Sequence, residues 1–182
     1  MPSKGAERTE IWVIDTCSIL EIRRPERLKI PKAKQAQVYA RLDEFVETGA
    51  LVYPKEVRDE LERQTAKIAR AGENDLPYEF VKRNAEKATS HGTDYAALRH
   101  ILAIAGVEKL LDPDKPGVEP ADPYVLALAY HINVQGGFAR VITEDRRNYP
   151  DKLALASACG LAGVPVVPIA AFLLNRGIWP PA

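Results

Sequence analysis

The sequence predicts an α/β fold, a central parallel sheet of four to five strands with helices packed on both faces. Three observations lead there. Four short apolar runs, "EIWVI" (10–14), "ALVY" (50–53), "FARVIT" (138–143) and "VPVVPI" (164–169), are separated by stretches of helical periodicity. Strands joined through helices run parallel, and their crossovers are right-handed. Two of the runs end directly on acids, Asp15 and the pair Glu144–Asp145, and ligands of such sheets sit beyond the carboxyl ends of the strands.

The elements follow in order. Residues 1–9 are expected to be a disordered leader, and 10–182 a single domain. After "EIWVI" comes a loop rich in Arg, Pro and Lys (21–32), then a helix in which Val38, Leu42, Phe45 and Val46 recur at helical spacing. Gly49 stands where that helix should end. Pro54 opens a second helix, "KEVRDELERQTAKIARAG", stopped by Gly72. Two more amphipathic helices cover 76–88 and 93–106. "LLDPDKPGVEPAD" is a proline-rich loop. Helices over 123–133, 151–163 and 170–177 complete the chain.

Composition narrows the function. Of 182 residues, 46% are hydrophobic and 27% charged, ordinary for a globular protein. Lys+Arg and Asp+Glu are equal at 25 each, so any nucleic acid must be met by a local basic patch. Cys17 and Cys159 form no CxxC, and His91, His100 and His131 lack zinc-ligand spacing. No apolar run reaches the ~18 residues of a membrane span, and the leader "MPSKGAERTE" has no apolar centre of a signal peptide. No membrane partner and a cytoplasmic location are expected.

The carboxylates carry the chemistry. Asp15 ends the first strand, where it either caps a turn or helix or joins a site, with Thr16 and Ser18 in reach. Two strand-terminal acidic sites in one sheet repel, which raises pKa values and costs stability unless a cation lies between them. Asp122, just before Pro123, reads as the N-cap of its helix, a role compatible with facing a metal. In the second helix Val57, Leu61 and Ile68 share a stripe. Glu60 lies at its edge, Glu56 and Glu62 farther round, and Asp59 almost opposite. Glu60 is the acid best placed to enter a site over the sheet. Hard oxygen donors without a Cys/His cluster favour Mg²⁺ or Mn²⁺, and a water acidified by such an ion is a natural nucleophile toward a phosphodiester.

"VIDTCSIL", "VRDELER", "ADPYVLALA" and "VITEDRRNY", in that order, resemble the PIN-domain ribonucleases, including the VapC-type toxins. The tail from "VITEDRRNY" onward looks more like an uncharacterised bacterial and archaeal PIN subfamily. The resemblance runs from about residue 10 to the end. It implies a three-layer α/β/α PIN-like fold and a Mg²⁺- or Mn²⁺-dependent centre that cleaves RNA. It carries the catalytic acids onto Asp15, Glu60, Asp122 and Asp145, and the supporting hydroxyls onto Thr143 and onto Thr16 or Ser18. Metal ligands would be Asp15, Asp122 and Asp145, with Glu144 replacing or supplementing Asp145. Arg23, Arg24, Arg146 and Arg147 are candidates for phosphate contacts, and Tyr149 for stacking a base. The family leaves two partners open, an antitoxin protein and a second copy of the chain.

Two other functions compete. A PIN scaffold could bind RNA or protein without catalysis. A phosphohydrolase of the haloacid dehalogenase type also opens on a strand ending in Asp, but it wants a second Asp two positions on, where Cys17 stands. No GxGxxG follows the first strand, which disfavours a dinucleotide site.

Overall fold

The computed structural model describes residues 10–68, 75–111 and 120–180. The leader 1–9, the helix stop at Gly72, the side chain of Ile68 and most of the proline-rich loop (112–119) lie outside the described residues. Four strands form one parallel sheet: β1 (Glu10–Ile14), β2 (Leu51–Val52), β3 (Phe138–Ile142) and β4 (Val166–Val167), in the order β2-β1-β3-β4. Val13 pairs with Val52 on one side and Val141 on the other, and Ile14 lies beside Ile142. The carboxyl ends of β1 and β3 are therefore level.

Three helices, α1 (Thr16–Glu21), α2 (Pro25–Leu28) and α3 (Lys32–Glu47), connect β1 to β2. Four more, α4 (Lys55–Ile68), α5 (Leu76–Ala88), α6 (Tyr95–Leu102) and α7 (Asp122–Val134), connect β2 to β3. The helices α8 (Leu155–Leu161) and α9 (Ile169–Asn175) precede and follow β4. The first crossover moves one way across the sheet and the second moves back over β1. Right-handed connections then send their helices to opposite faces. The side chains agree. Trp12 of β1 meets Phe172 of α9 edge-on at 5.0 Å, and Phe172 meets Phe45 of α3 at 5.7 Å. Across the sheet, α7 lies over β1 and β3 with Val125, Leu126, Ala129 and Ile132 buried. The expected sheet flanked by helices is what the chain forms.

Reversing direction between β1 and β3 creates a switch point, with a crevice at their carboxyl ends. Gly137 tightens the turn into β3. A Cβ there would stand 2.8 Å from Ile132 Cγ2 and 2.9 Å from the Ile132 carbonyl oxygen, too close for any larger residue.

Some elements differ from expectation. The segment after β1 is not a plain loop: α1 and α2 occupy 16–21 and 25–28. They are too short to show periodicity, and α1 is held by Asp15, whose Oδ1 accepts from Ser18 N at 2.7 Å. The helix expected over 93–106 ends at Leu102, and a 3-10 turn follows at Val107–Leu110. The helix expected from 151 begins at Leu155, because Tyr149 and Lys152 pair as a backbone bridge and Asn148 Oδ1 accepts from Ala154 N at 2.9 Å. Asp122 is not an N-cap. Ala121 holds that position, its carbonyl accepting from Tyr124 N and Val125 N at 3.0 Å each. Glu56 is not turned outward either. It is buried in a recess that also meets Tyr95 and Tyr124, so α4 is covered over a wider arc than its apolar stripe.

Candidate active site

Asp15 follows β1, and Thr143 follows β3. The backbone joins these two ends, Asp15 N donating to Ile142 O at 3.2 Å. Ser18 Oγ donates to the same carbonyl at 3.2 Å. Thr143 Oγ1 donates to Asp15 Oδ2, and Thr143 Oγ1 in turn accepts from Asp145 N at 3.0 Å. Asp15, Ser18 and Thr143 have no solvent exposure. Both hydroxyls that the sequence attached to the first motif thus have work: Ser18 ties α1 to β3, and Thr16 reaches sideways. Thr16 Oγ1 donates to Glu60 Oε2 at 2.8 Å, which draws the α4 acid toward the strand ends.

Asp122 comes from the opposite side, on the first residue of α7. Because Ala121 caps that helix, the Asp122 carboxylate is left to face the other acids. Their charges reach it: Asp122 is pushed up to about 7, first by burial, then by Asp15, with Asp145 and Glu60 adding, against the opposing pull of Lys152. Asp15 is pushed up to about 6, again chiefly by burial, with Asp145 raising it and the Ser18 and Thr143 hydrogen bonds holding it down. Cys17 keeps contact with solvent, yet its thiol is raised by partial loss of hydration and then by Asp15, Asp122, Asp145 and Glu60. Four carboxylates from four parts of the chain therefore share one electrostatic neighbourhood.

The adjacent acids after β3 go to different places. Asp145 acts on Asp15 and Asp122, while its Oδ2 accepts from Leu155 N at 3.0 Å and fixes the start of α8. Glu144 turns to α9, where Oε1 accepts from Ile169 N at 2.8 Å. The candidate phosphate contacts also divide. Arg23 pairs with Asp75 at 3.4 Å and Arg24 with buried Glu21 at 3.2 Å, so both already serve carboxylates. Arg146 and Arg147 are exposed beside Asp145, and Arg147 lies over the Tyr149 ring at 5.3 Å.

Lys152 is the residue that sequence reasoning missed. Its Nζ stands 4.0 Å from Asp122 Oδ2, held there by the Tyr149–Lys152 bridge. Reading 151–163 as helix hid it, and the "NYPDK" turn signal was the available clue. Replacing it, as Lys152→Ala, is expected to raise the Asp122 pKa further by less than about one, since a half-exposed pair is worth roughly 0.2–1 kcal/mol. An NMR titration of the Asp122 carboxyl carbon would show this, and an unmoved or lowered midpoint would exclude the contact.

Residues 12–178 match the family described as a domain of unknown function, DUF4411. The chain belongs to that family. No curated protein and no solved structure matches this DUF4411 chain. Among its described residues, no three His, Cys, Asp or Glu side chains stand close enough to hold a metal ion as they are arranged. Their carboxylate oxygens are turned instead toward Ser18 N, Thr143, Thr16 and Leu155 N. The donor set nevertheless fits a hard cation by its chemistry. It is all oxygen, partly desolvated and mutually repelling, the condition that a divalent ion relieves. No helix among the described residues is long and apolar enough to cross a membrane.

Proposed function

We propose that this DUF4411 chain is a PIN-like, Mg²⁺- or Mn²⁺-dependent ribonuclease that hydrolyses RNA phosphodiester bonds. One observation carries the reading: Asp15, Asp122, Asp145 and Glu60 converge at the switch point of a parallel sheet, with Asp15 and Asp122 raised toward neutrality. A structural network would pair each acid with a cation. Here the nearest one, Lys152, is half-exposed and 4.0 Å from a single member.

In this reading Asp15, Asp122 and Asp145 hold the cation, and Glu60 binds it directly or through water. When bound, the ion neutralises these acids, acidifies a water and stabilises the charge that develops on the phosphoryl group. The chain's own residues supply the rest. Thr143 bridges the acids of β1 and β3, and Thr16 fixes one oxygen of Glu60. Glu144 anchors α9 behind them. Lys152, Arg146 and Arg147 supply cations for the phosphates on either side of the cleaved bond. Cys17 and Cys159 are both free thiols, which suits a reducing cytoplasm. An antitoxin partner and a homodimer belong to the same reading through the family resemblance.

The test is cleavage of a panel of single-stranded and hairpin RNAs by purified protein in EDTA, Mg²⁺ and Mn²⁺. Cleavage is expected with either cation and none in EDTA. Turnover that persists in EDTA, or a panel left intact under all three conditions, would remove the ribonuclease assignment.

A further inference from the structure

Next to the acidic cluster, a chain of recesses runs between the start of α4 and the starts of α6 and α7. One cavity of about 180 Å³ is bounded by Glu56, Asp59 and Arg63 on α4 and by Tyr95 and Tyr124. A second, of about 250 Å³, shares Lys55 and Tyr95 with it and extends to Thr89, His91 and Thr93. A narrow gap touching Tyr124, Thr93 and Leu128 links the two. Glu56 and Glu60 lie one helical turn apart on α4, roughly 5 Å along the axis, and Tyr124 follows Asp122 by two residues on α7. The recess therefore begins where the acidic cluster ends.

We infer that this recess is a nucleobase subsite, in which Tyr95 stacks an unpaired base of the single-stranded substrate adjoining the cleaved bond. The inference rests on the ribonuclease reading for the identity of the strand. Its own support is local. Tyr95 is 59% exposed, an uncommon setting for a large aromatic ring. Its backbone is nonetheless rigid, because Asp94 Oδ1 caps α6 through Ala96 N at 2.8 Å and Ala97 N at 3.2 Å, and Asp94 is pinned from behind by His131 Nδ1 at 2.5 Å. A fixed, solvent-facing aromatic face is what stacking on a base requires.

Charge decides against a phosphate as the occupant. The smaller cavity is bounded by Lys55 and Arg63, but equally by Glu56 and Asp59. Balanced walls give no attraction for an anion, whereas a neutral base loses nothing there. The hydroxyls of Thr89 and Thr93 and the His91 ring at the far wall offer hydrogen bonds to base edges. Phosphates would be met elsewhere, by Lys152, Arg146 and Arg147, so backbone and base are recognised by separate surfaces.

The test uses Asp122→Asn protein, so that the strand survives, titrated with a fluorescein-labelled oligouridylate and with an abasic strand of equal length. The oligouridylate is expected to bind more tightly than the abasic strand. Adding Tyr95→Ala should weaken oligouridylate binding about tenfold, the scale of one lost base–aromatic contact, and leave the abasic strand unchanged. Tyr95→Phe should bind like the parent. Equal affinity for both strands in the parent, or a Tyr95→Ala effect of the same size on both, overturns the subsite. The two proposals fail separately. A protein that cuts no RNA but keeps the Tyr95-dependent preference retains the subsite and loses the ribonuclease reading; one that cuts RNA without that preference does the reverse.

Discussion

Asp122→Asn is expected to lower RNA cleavage by roughly a hundredfold or more, the scale of losing one preorganised charge-stabilising group, while making the cation-free protein more stable at neutral pH. The two effects have one cause. Burial and the charges of Asp15, Asp145 and Glu60 push the Asp122 carboxyl up to about 7, so near pH 8 the fold holds an ionised group in a place that disfavours it. Asparagine keeps the shape and removes the charge. Asp122 makes no side-chain cap to its own helix, so nothing structural is lost with it. Asp15 is a poorer probe, because its two oxygens accept from Ser18 N and Thr143 Oγ1, and an amide replaces one acceptor by a donor. Thermal unfolding in EDTA at pH 8, beside initial cleavage rates in Mn²⁺, checks both halves. A destabilised Asp122→Asn protein, or one that cleaves at the parental rate, would place the acid in the scaffold and not in the chemistry.

That expectation also separates the ribonuclease from its competitors. A binding scaffold has no use for acids that repel one another, and selection for stability would have replaced one of them. A phosphohydrolase working through a phosphoaspartate needs an acid two positions after Asp15. Cys17 occupies that position, its thiol raised well above its usual range by loss of hydration and the neighbouring carboxylates, so it stays protonated and offers no carboxyl general acid/base.

The strands were legible because each is a short apolar run buried on both faces, a signal confined to a handful of neighbouring residues. Asp15 and Asp145 were legible for the same reason, since the end of a run marks the end of a strand. Glu60 needed only the turn angle of a helix. Features set by partners distant in sequence escaped. The "ADP" signature fits an N-cap locally, but the Ala121 carbonyl begins the helix one residue earlier and leaves the Asp122 side chain for the site. Glu56 looked solvent-facing on a wheel of α4 alone, and its burial comes from the segments carrying Tyr95 and Tyr124. Lys152 reaches Asp122 only because the Tyr149–Lys152 bridge delays α8. Helix α1 spans six residues, too few for a period, and depends on a cap that an isolated Asp does not guarantee.

Adding Mn²⁺ or Mg²⁺ is expected to raise the melting temperature strongly at pH 8 and hardly at all at pH 5. Both Asp15 and Asp122 have folded-state pKa values above the ordinary 3.8, at about 6 and about 7. Between pH 4 and 7 the native protein therefore binds more protons than the unfolded chain, and stability of the cation-free protein falls as pH rises through that window. A tenfold change in a proton's affinity corresponds to about 1.4 kcal/mol, so the loss for this coupled pair is on the order of a few kcal/mol. A cation acts in the opposite sense. It binds the ionised acids, competes with their protons and stabilises only the fold, by about 2.7 kcal/mol when present at a hundred times its dissociation constant. The stability curves with and without cation should thus diverge upward from pH 6. Differential scanning calorimetry at four or five pH values, in EDTA and in Mn²⁺, measures both. A cation-free protein that gains stability from pH 5 to pH 8 would show that Asp15 and Asp122 are neutralised by protein groups, and a melting temperature indifferent to Mn²⁺ at pH 8 would show that the four acids do not share an ion.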